Sequence, residues 1–331
     1  MEPIKLGLAA TGALTFGYGT LQLASLIWTF LIRPSELPRY GHCKEGSWAL
    51  ITGASDGIGL GFVHELLSEN FNVLMHGRNA EKLRRIAQEL GQQYPHRKVA
   101  IVVADASDQN VDLSGVVDIV KQLPGKLTVL VNNVGGVTTK PQYLPLHEVT
   151  AKDIDNQMNV NARFPTQITR VLLPILKQNQ PSLIMNTGSV GGFMGVPYIV
   201  TYCATKGYVH SFSKALMAEM FADGYAPAGG TKYEAAKGVE VMGCLIGNTA
   251  SAGNTSDKDF FTISARQLAS ACLDRVGAGK ALVWAHWKHR LQWFAVSLMP
   301  EYWVMAFGAP IMRKRVEDEK RKVAEDEKKG L

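Results

Sequence analysis

Tyr-x3-Lys occurs four times in this 331-residue chain, at Tyr40/Lys44, Tyr94/Lys98, Tyr202/Lys206 and Tyr233/Lys237. The pair alone says little. Only Tyr202/Lys206 has a serine, Ser189, thirteen residues before its tyrosine; the other pairs have Ile27, Glu81 and Met220 there. Residues four apart on a helix share a face, so Tyr202 and Lys206 can point into one site. Such a set suits the reduction of a ketone, because hydride delivery leaves an alkoxide that needs a proton. A phenol with its ordinary pKa of ~10 does this poorly near neutrality, and a neighbouring ammonium is expected to lower that pKa. Ser189 would hydrogen-bond the substrate oxygen as charge develops there. Asn161, in Asn159-Val160-Asn161, is the candidate for holding a water that resupplies protons. Each residue taken singly has an ordinary reading: core tyrosine, capping serine, exposed lysine.

A hydride source is suggested upstream. Thr52-Gly53-Ala54-Ser55-Asp56-Gly57-Ile58-Gly59 follows an apolar strand-like run directly and opens a helical stretch. Glycine allows a sharp turn and a close approach to a pyrophosphate, and the helix N-terminus beyond offers free N–H groups. The turn therefore reads as a dinucleotide site, with Gly53, Ser55, Asp56, Gly57, Ile58 and Gly59 as candidate contacts. An acid after the second strand would bind the free 2′-hydroxyl of NAD. The chain has Met75-His76-Gly77-Arg78-Asn79 instead, and a guanidinium can fork onto a 2′-phosphate, which favours NADPH. Asp105 and Asn133, at the ends of the third and fourth strands, are further candidates for the cofactor edge.

These residues need elements to position them. Short β-branched runs at 49–52, 73–75, 99–103, 127–131, 183–186 and 239–245, with a weaker seventh at 281–284, alternate with helical stretches such as 81–94 and 152–177. Strands that are apolar throughout, alternating with helices, predict an α/β fold: a doubly wound parallel sheet of about seven strands in a Rossmann-type reductase domain over 48–286. Leu6–Ile32 contains no Asp, Glu, Lys, Arg or His, and ~20 apolar residues suffice to span a bilayer. Residues 1–32 are therefore expected to be a membrane anchor, followed by a linker over 33–47. Arg33, Arg39 and Lys44 against Lys5 alone place the main domain on the cytosolic side. Residues 223–237 are expected to be an inserted surface loop. The aromatic segment 287–312 reads as membrane-facing or substrate-covering, or as a packing helix pair. Residues 313–331 form a charged helical tail whose Lys328-Lys329-Gly330-Leu331 end resembles an endoplasmic-reticulum retrieval signal.

Composition narrows the classes. Hydrophobic residues make up 46% and charged ones 19%, which excludes global disorder. Four scattered cysteines without Cys-x-x-Cys argue against a disulfide framework or a cysteine zinc site. The net charge of +6 is mild and dispersed, so nucleic acid is not an expected partner.

Taken together, TGASDGIG, NNVG, Asn161, Ser189 and Tyr202-x3-Lys206 resemble the short-chain dehydrogenase/reductase superfamily over about Trp48 to Trp284. Within it the chain looks most like the microsomal 3-ketoacyl-CoA reductase and 17-beta-hydroxysteroid dehydrogenase type 12 branch. The N-terminal span, GSWALITGASDGIG, NNVG rather than NNAG, YCATKGYVHSFSKAL and the dilysine end carry that likeness. The resemblance implies that Tyr202 is the acid, that Lys206 also binds the nicotinamide ribose, that Ser189 orients the carbonyl and that Asn161 supports the relay. It implies an NADPH-dependent ketoreductase of the endoplasmic reticulum membrane acting on 3-oxoacyl-CoA in very-long-chain fatty-acid elongation, with a homo-oligomer or elongation enzymes as partners. A steroid, sterol or specialised-metabolite ketone is the alternative substrate, and an NADPH-binding scaffold without turnover the alternative of another class. The chain departs from the family at Leu245-Ile246-Gly247-Asn248, where many relatives have Pro-Gly, at the 223–237 insertion and after Gly135.

Overall fold

The structure, a computed structural model, describes residues 2–225, 238–250 and 259–329. Seven parallel strands form the sheet: β1 (Ser47–Thr52), β2 (Asn72–Gly77), β3 (Val99–Val103), β4 (Lys126–Asn132), β5 (Ser182–Thr187), β6 (Val239–Leu245) and, after two short bridging strands β7 (Thr249–Ala250) and β8 (Ile263–Ser264), β9 (Leu282–Trp284). Their order is β3-β2-β1-β4-β5-β6-β9. The chain builds outward from β1 to β3, then returns to add β4 on the other side of β1. That reversal leaves a crevice at the carboxyl ends of β1 and β4, where doubly wound sheets bind their ligands. Ile51 pairs with Val131, so the loops after Thr52 and Asn132 face each other across it.

Successive strand residues point to opposite faces, and both faces are buried. Ala49, Ile51, Val73, Met75, Val129 and Val131 pack under α2 (Gly57–Ser68), α3 (Ala80–Gln93) and α8 (Ala265–Leu273). Trp48, Leu50, Leu74, Leu130 and Ile184 pack under α4 (Ser114–Gln122), α6 (Phe164–Gln178) and α7 (Val200–Ala222). This two-sided burial explains why the middles of the strands are runs of apolar residues instead of strict alternations.

The helical stretch expected at 152–177 is continuous but not uniform. It runs as α5 (Ala151–Met158), a π-helical turn (Asn159–Arg163) and α6. The wider π turn carries Asn161, in keeping with the concentration of such turns at functional sites.

The N-terminal helix α1 (Glu2–Ile27) is the one helix among the described residues long and apolar enough to cross a membrane. Its threonines do not oppose insertion. The hydroxyls of Thr11, Thr15 and Thr20 donate to the carbonyls of Gly7, Thr11 and Phe16 one turn back, each at 2.9 Å. The stretch expected as a linker, 33–47, is instead packed into the domain. Leu37 and Tyr40 are buried, Tyr40 donates to Glu240 on β6 at 2.5 Å, and Arg33 and Ser35 hydrogen-bond carbonyls of 273–276.

The aromatic segment folds as two helices, α9 (Trp287–Ser297) and α10 (Glu301–Lys329). Lys328 and Lys329 end α10, and the last two residues lie outside the described ones. The expected insertion at 223–237 also lies outside them from residue 226 onward.

Candidate active site

The crevice opens into a cleft of ≈ 670 Å³ lined by the glycine turn, the ends of β4, β5 and β6, Tyr202 and Lys206 of α7, and part of α9. The turn is closed on itself. Gly53 has φ +66°, and a Cβ on Gly59 would lie 2.0 Å from the Gly53 carbonyl oxygen. No side chain fits there, so the backbone approaches the cleft directly. Asp56 caps α2 by accepting from the Gly57 N–H at 2.7 Å, and Lys82 lies 2.7 Å from its other oxygen. That lysine holds the Asp56 carboxyl below its usual range and offsets its charge next to a site suited to anions. Ser55 sits half-buried in the turn, outside the cleft lining.

Asn133 does a structural job. Its side-chain amide donates to the Thr52 carbonyl at 3.0 Å, while the Thr52 hydroxyl accepts the N–H groups of Asn133 and Val134 at 2.9 and 3.0 Å. These bonds tie the end of β4 to the end of β1 and fix the crevice floor. Arg78 is exposed just past β2, and Asp105 is exposed past β3, where its carboxylate accepts both the N–H and the hydroxyl of Ser107. Neither lines the cleft, but both stand at the same sheet edge. Arg78 is close enough to help lower the Asp105 carboxyl. Ser107 and Arg78 hold Asp105 charged.

A dinucleotide fits these residues. A tight glycine turn, the helix N-terminus beyond it and an arginine with no acid at the second strand lie at the reversal point of the sheet.

At the other end of the cleft, Ser189 follows β5 and Tyr202 and Lys206 lie one turn apart on α7. Lys206 is buried and donates to the Thr187 carbonyl at 2.8 Å; burial pushes it down to about 8. Tyr202 is half-exposed on the cleft wall, yet loss of water is the largest influence on its phenol and pushes it up, while the Ser189 hydroxyl pulls it down. The expected lowering by Lys206 is thus not what this structure holds. The ammonium sits 5.8 Å from the Tyr202 ring centroid and is turned to a carbonyl.

Asn161 is buried and held by three hydrogen bonds. Its Oδ1 accepts from the Gly136 N–H at 3.0 Å, and its Nδ2 donates to the Gly136 carbonyl and the Thr205 hydroxyl, both at 3.0 Å. Both amide hydrogens are committed, so the side chain clasps the loop after β4 to α7 and has no free donor for a water. Gln157 reinforces the clasp, donating to the same Gly136 carbonyl at 2.6 Å.

Several contributors carried no signal of their own in the sequence. His210 lies four residues beyond Lys206 on the same helix face and accepts the Ser189 N–H at 3.4 Å. Burial and the neighbouring lysines push it down to about 4, so it is neutral and fit to accept. His289 of α9 has no exposed surface. It accepts the Gly247 N–H at 3.1 Å and its other nitrogen lies 3.1 Å from the Asn248 carbonyl, which fastens the loop after β6 to α9. The chain thereby fixes the loop that lacks the Pro-Gly of many relatives.

Comparison with known proteins identifies the family of this fold. Residues 47–226 match the short chain dehydrogenase family model. A very-long-chain 3-oxoacyl-CoA reductase-like protein of Arabidopsis thaliana is 30% identical over 82% of this chain and 81% of its own length. The very-long-chain 3-oxoacyl-CoA reductase of Neurospora crassa is 34% identical over 62% of each chain, so the match spans less than two thirds of that relative. A short-chain dehydrogenase from Sphingobium yanoikuyae in complex with NADPH has the same fold, with a TM-score of 0.61 and 22% identity over 76% of this chain and 92% of its own. The chain belongs to the short-chain dehydrogenase family, and within it resembles the very-long-chain 3-oxoacyl-CoA reductase branch.

Proposed function

We propose that the protein reduces the ketone of a 3-oxoacyl-CoA to the 3-hydroxyacyl-CoA with NADPH, at the endoplasmic reticulum membrane and with the reductase domain in the cytosol. The observation that carries the reading is the meeting of Ser189, Tyr202 and Lys206 in one cleft with the glycine turn at its far end. The names of the curated relatives support the substrate, and Arg78 in place of an acid supports NADPH over NADH. NADPH, when bound along the Gly53–Gly59 turn, supplies the hydride.

The chain's own residues do the rest. The Ser189 hydroxyl, held by the Gly191 N–H at 3.1 Å, and the Tyr202 phenol hold the substrate carbonyl oxygen between them. Tyr202 gives its proton to that oxygen as negative charge forms. A raised pKa keeps the phenol protonated beforehand, which suits the reductive direction. Lys206 is charged below about 8 and stabilises the phenolate that remains, once its ammonium leaves the Thr187 carbonyl. Asn161 and Gln157 keep the loop opposite in register with α7.

Of the readings of the segment 287–312, a substrate-covering and a membrane-facing role are compatible and form part of this proposal. One side of α9 gives Gln292, Trp293 and Val296 to the cleft. Its other side exposes Leu291 and Phe294, Leu298 follows it, and α10 exposes Trp303, Phe307 and Ile311. Aromatic and aliphatic residues at helical spacing suit the membrane interface. A long acyl chain would then pass from the bilayer to the cleft under α9.

The test is NADPH oxidation by the detergent-solubilised full chain with a long-chain 3-oxoacyl-CoA and, in parallel, steroid and other lipophilic ketones. Turnover of the acyl-CoA to the 3-hydroxy product is expected. Turnover of the other ketones alone would replace the substrate assignment, and NADPH binding without any turnover would replace the enzyme.

A further inference from the structure

Residues 313–331 are expected to be a charged helical tail, yet the stretch of α10 from Met312 to Glu319 packs against the domain, and Arg315 reaches the cleft. Met312 and Val316 are buried, one turn apart. On the adjoining face, Glu319 accepts the backbone N–H of Gln142 at 2.6 Å with one carboxylate oxygen and that of Tyr143 at 2.9 Å with the other. Gln142 and Tyr143 line the cleft, on the loop between β4 and α5, so Glu319 straps α10 across its mouth. One turn before Glu319, Arg315 also lines the cleft and donates to the Tyr143 hydroxyl at 3.3 Å.

We propose that Arg315 binds a phosphate of the substrate's thioester carrier, with Glu319 as the positioning residue that holds it over the cleft. The inference rests on the acyl-thioester reading above and assigns the group that reads the carrier. Among the described residues three charged ones line the cleft: Asp56, Lys206 and Arg315. Asp56 is engaged by Lys82 at the cofactor end, and Lys206 by the Thr187 carbonyl at the catalytic centre. Arg315 has no carboxylate within 4 Å among the described residues, and Glu319, the acid one turn on, is taken up by two backbone amides. A guanidinium has five N–H donors in a planar fork, and one long bond to a phenol uses one of them. Bracing Tyr143 alone would need no charge. A phosphate matches the rest of the fork bidentately. The apolar wall of Trp293 and Val296 lines the same cleft. A ligand with a long acyl tail and a phosphorylated carrier carries both kinds of group.

The experiment compares one 3-oxoacyl group on three carriers: coenzyme A, phosphopantetheine and N-acetylcysteamine, which has no phosphate. Each is assayed with wild type, Arg315→Gln and Arg315→Lys, with NADPH affinity measured in the same samples. For Arg315→Gln, kcat/KM on the CoA thioester should fall at least tenfold, mostly through KM. The N-acetylcysteamine thioester and NADPH affinity should stay within twofold, and Arg315→Lys should recover part of the loss. A fall with phosphopantetheine as well places the contact on the pantetheine phosphate; a fall with CoA alone places it on the nucleotide phosphates. An equal fall on CoA and N-acetylcysteamine thioesters, or no fall on either, overturns the proposal. Wild type that turns over none of the three overturns the acyl-thioester reading itself, and this inference with it.

Discussion

From Thr52 to Gly59 the cleft wall is backbone, folded so tightly that a Cβ on Gly59 would meet the Gly53 carbonyl oxygen at 2.0 Å. From Gly247 to Arg315 the opposite wall depends on side chains drawn from distant segments: His289 holding the loop after β6, Trp293 and Val296 facing inward, and Glu319 reaching back to Gln142 and Tyr143. The first wall suits a ligand whose phosphates need N–H groups and close approach. The second is assembled from separate side chains, so single substitutions there are expected to leave the first intact. The two walls meet at Ser189, Tyr202 and Lys206.

Substitutions at the two walls should therefore separate in their effects. Gly59→Ala pushes the Gly53 carbonyl aside, which costs about 2 kcal/mol, and NADPH affinity should fall at least about 30-fold in a fluorescence titration. An affinity within threefold of wild type would mean that the turn yields and does not need glycine there. Arg78→Ala acts beyond the cleft lining, at the end of β2, where a charged contact to a 2′-phosphate would be worth about 1.5 kcal/mol. NADPH affinity should fall about tenfold while NADH affinity stays within twofold. Equal losses for both cofactors would remove the 2′-phosphate contact. His289→Leu keeps the bulk of α9 but leaves the Gly247 N–H unpaired. KM for the ketone substrate should rise about fivefold, or about 1 kcal/mol, with NADPH affinity unchanged. A loss of NADPH affinity in that variant would show that the walls are coupled.

The same division decides what was legible in the sequence. The sheet could be read because both its faces are buried, which makes the middles of the strands runs of apolar residues. The glycine turn and the Ser189/Tyr202/Lys206 set could be read because their chemistry fixes residue type and spacing together. Nothing periodic marks Tyr40, whose hydroxyl meets Glu240 two hundred residues away, so 33–47 looked like a linker although it packs into the core. His289 and Glu319 were silent for the same reason. Each satisfies backbone N–H groups far along the chain, and a backbone partner leaves no sequence pattern. The Tyr202 phenol shows a further limit. A lysine at the right spacing implied a lowered pKa, but spacing carries no information about desolvation or about the carbonyl of Thr187, which takes the ammonium.

The central claim is that Tyr202 delivers the proton at the junction of the two walls. It is tested most directly by Tyr202→Phe beside wild type, with NADPH-dependent turnover of a long-chain 3-oxoacyl-CoA and NADPH affinity read from the same preparations. Phenylalanine keeps the ring and removes only the proton donor. The account predicts a kcat lower by about 10² to 10⁴ with NADPH affinity within twofold. Wild-type turnover in the variant would contradict it.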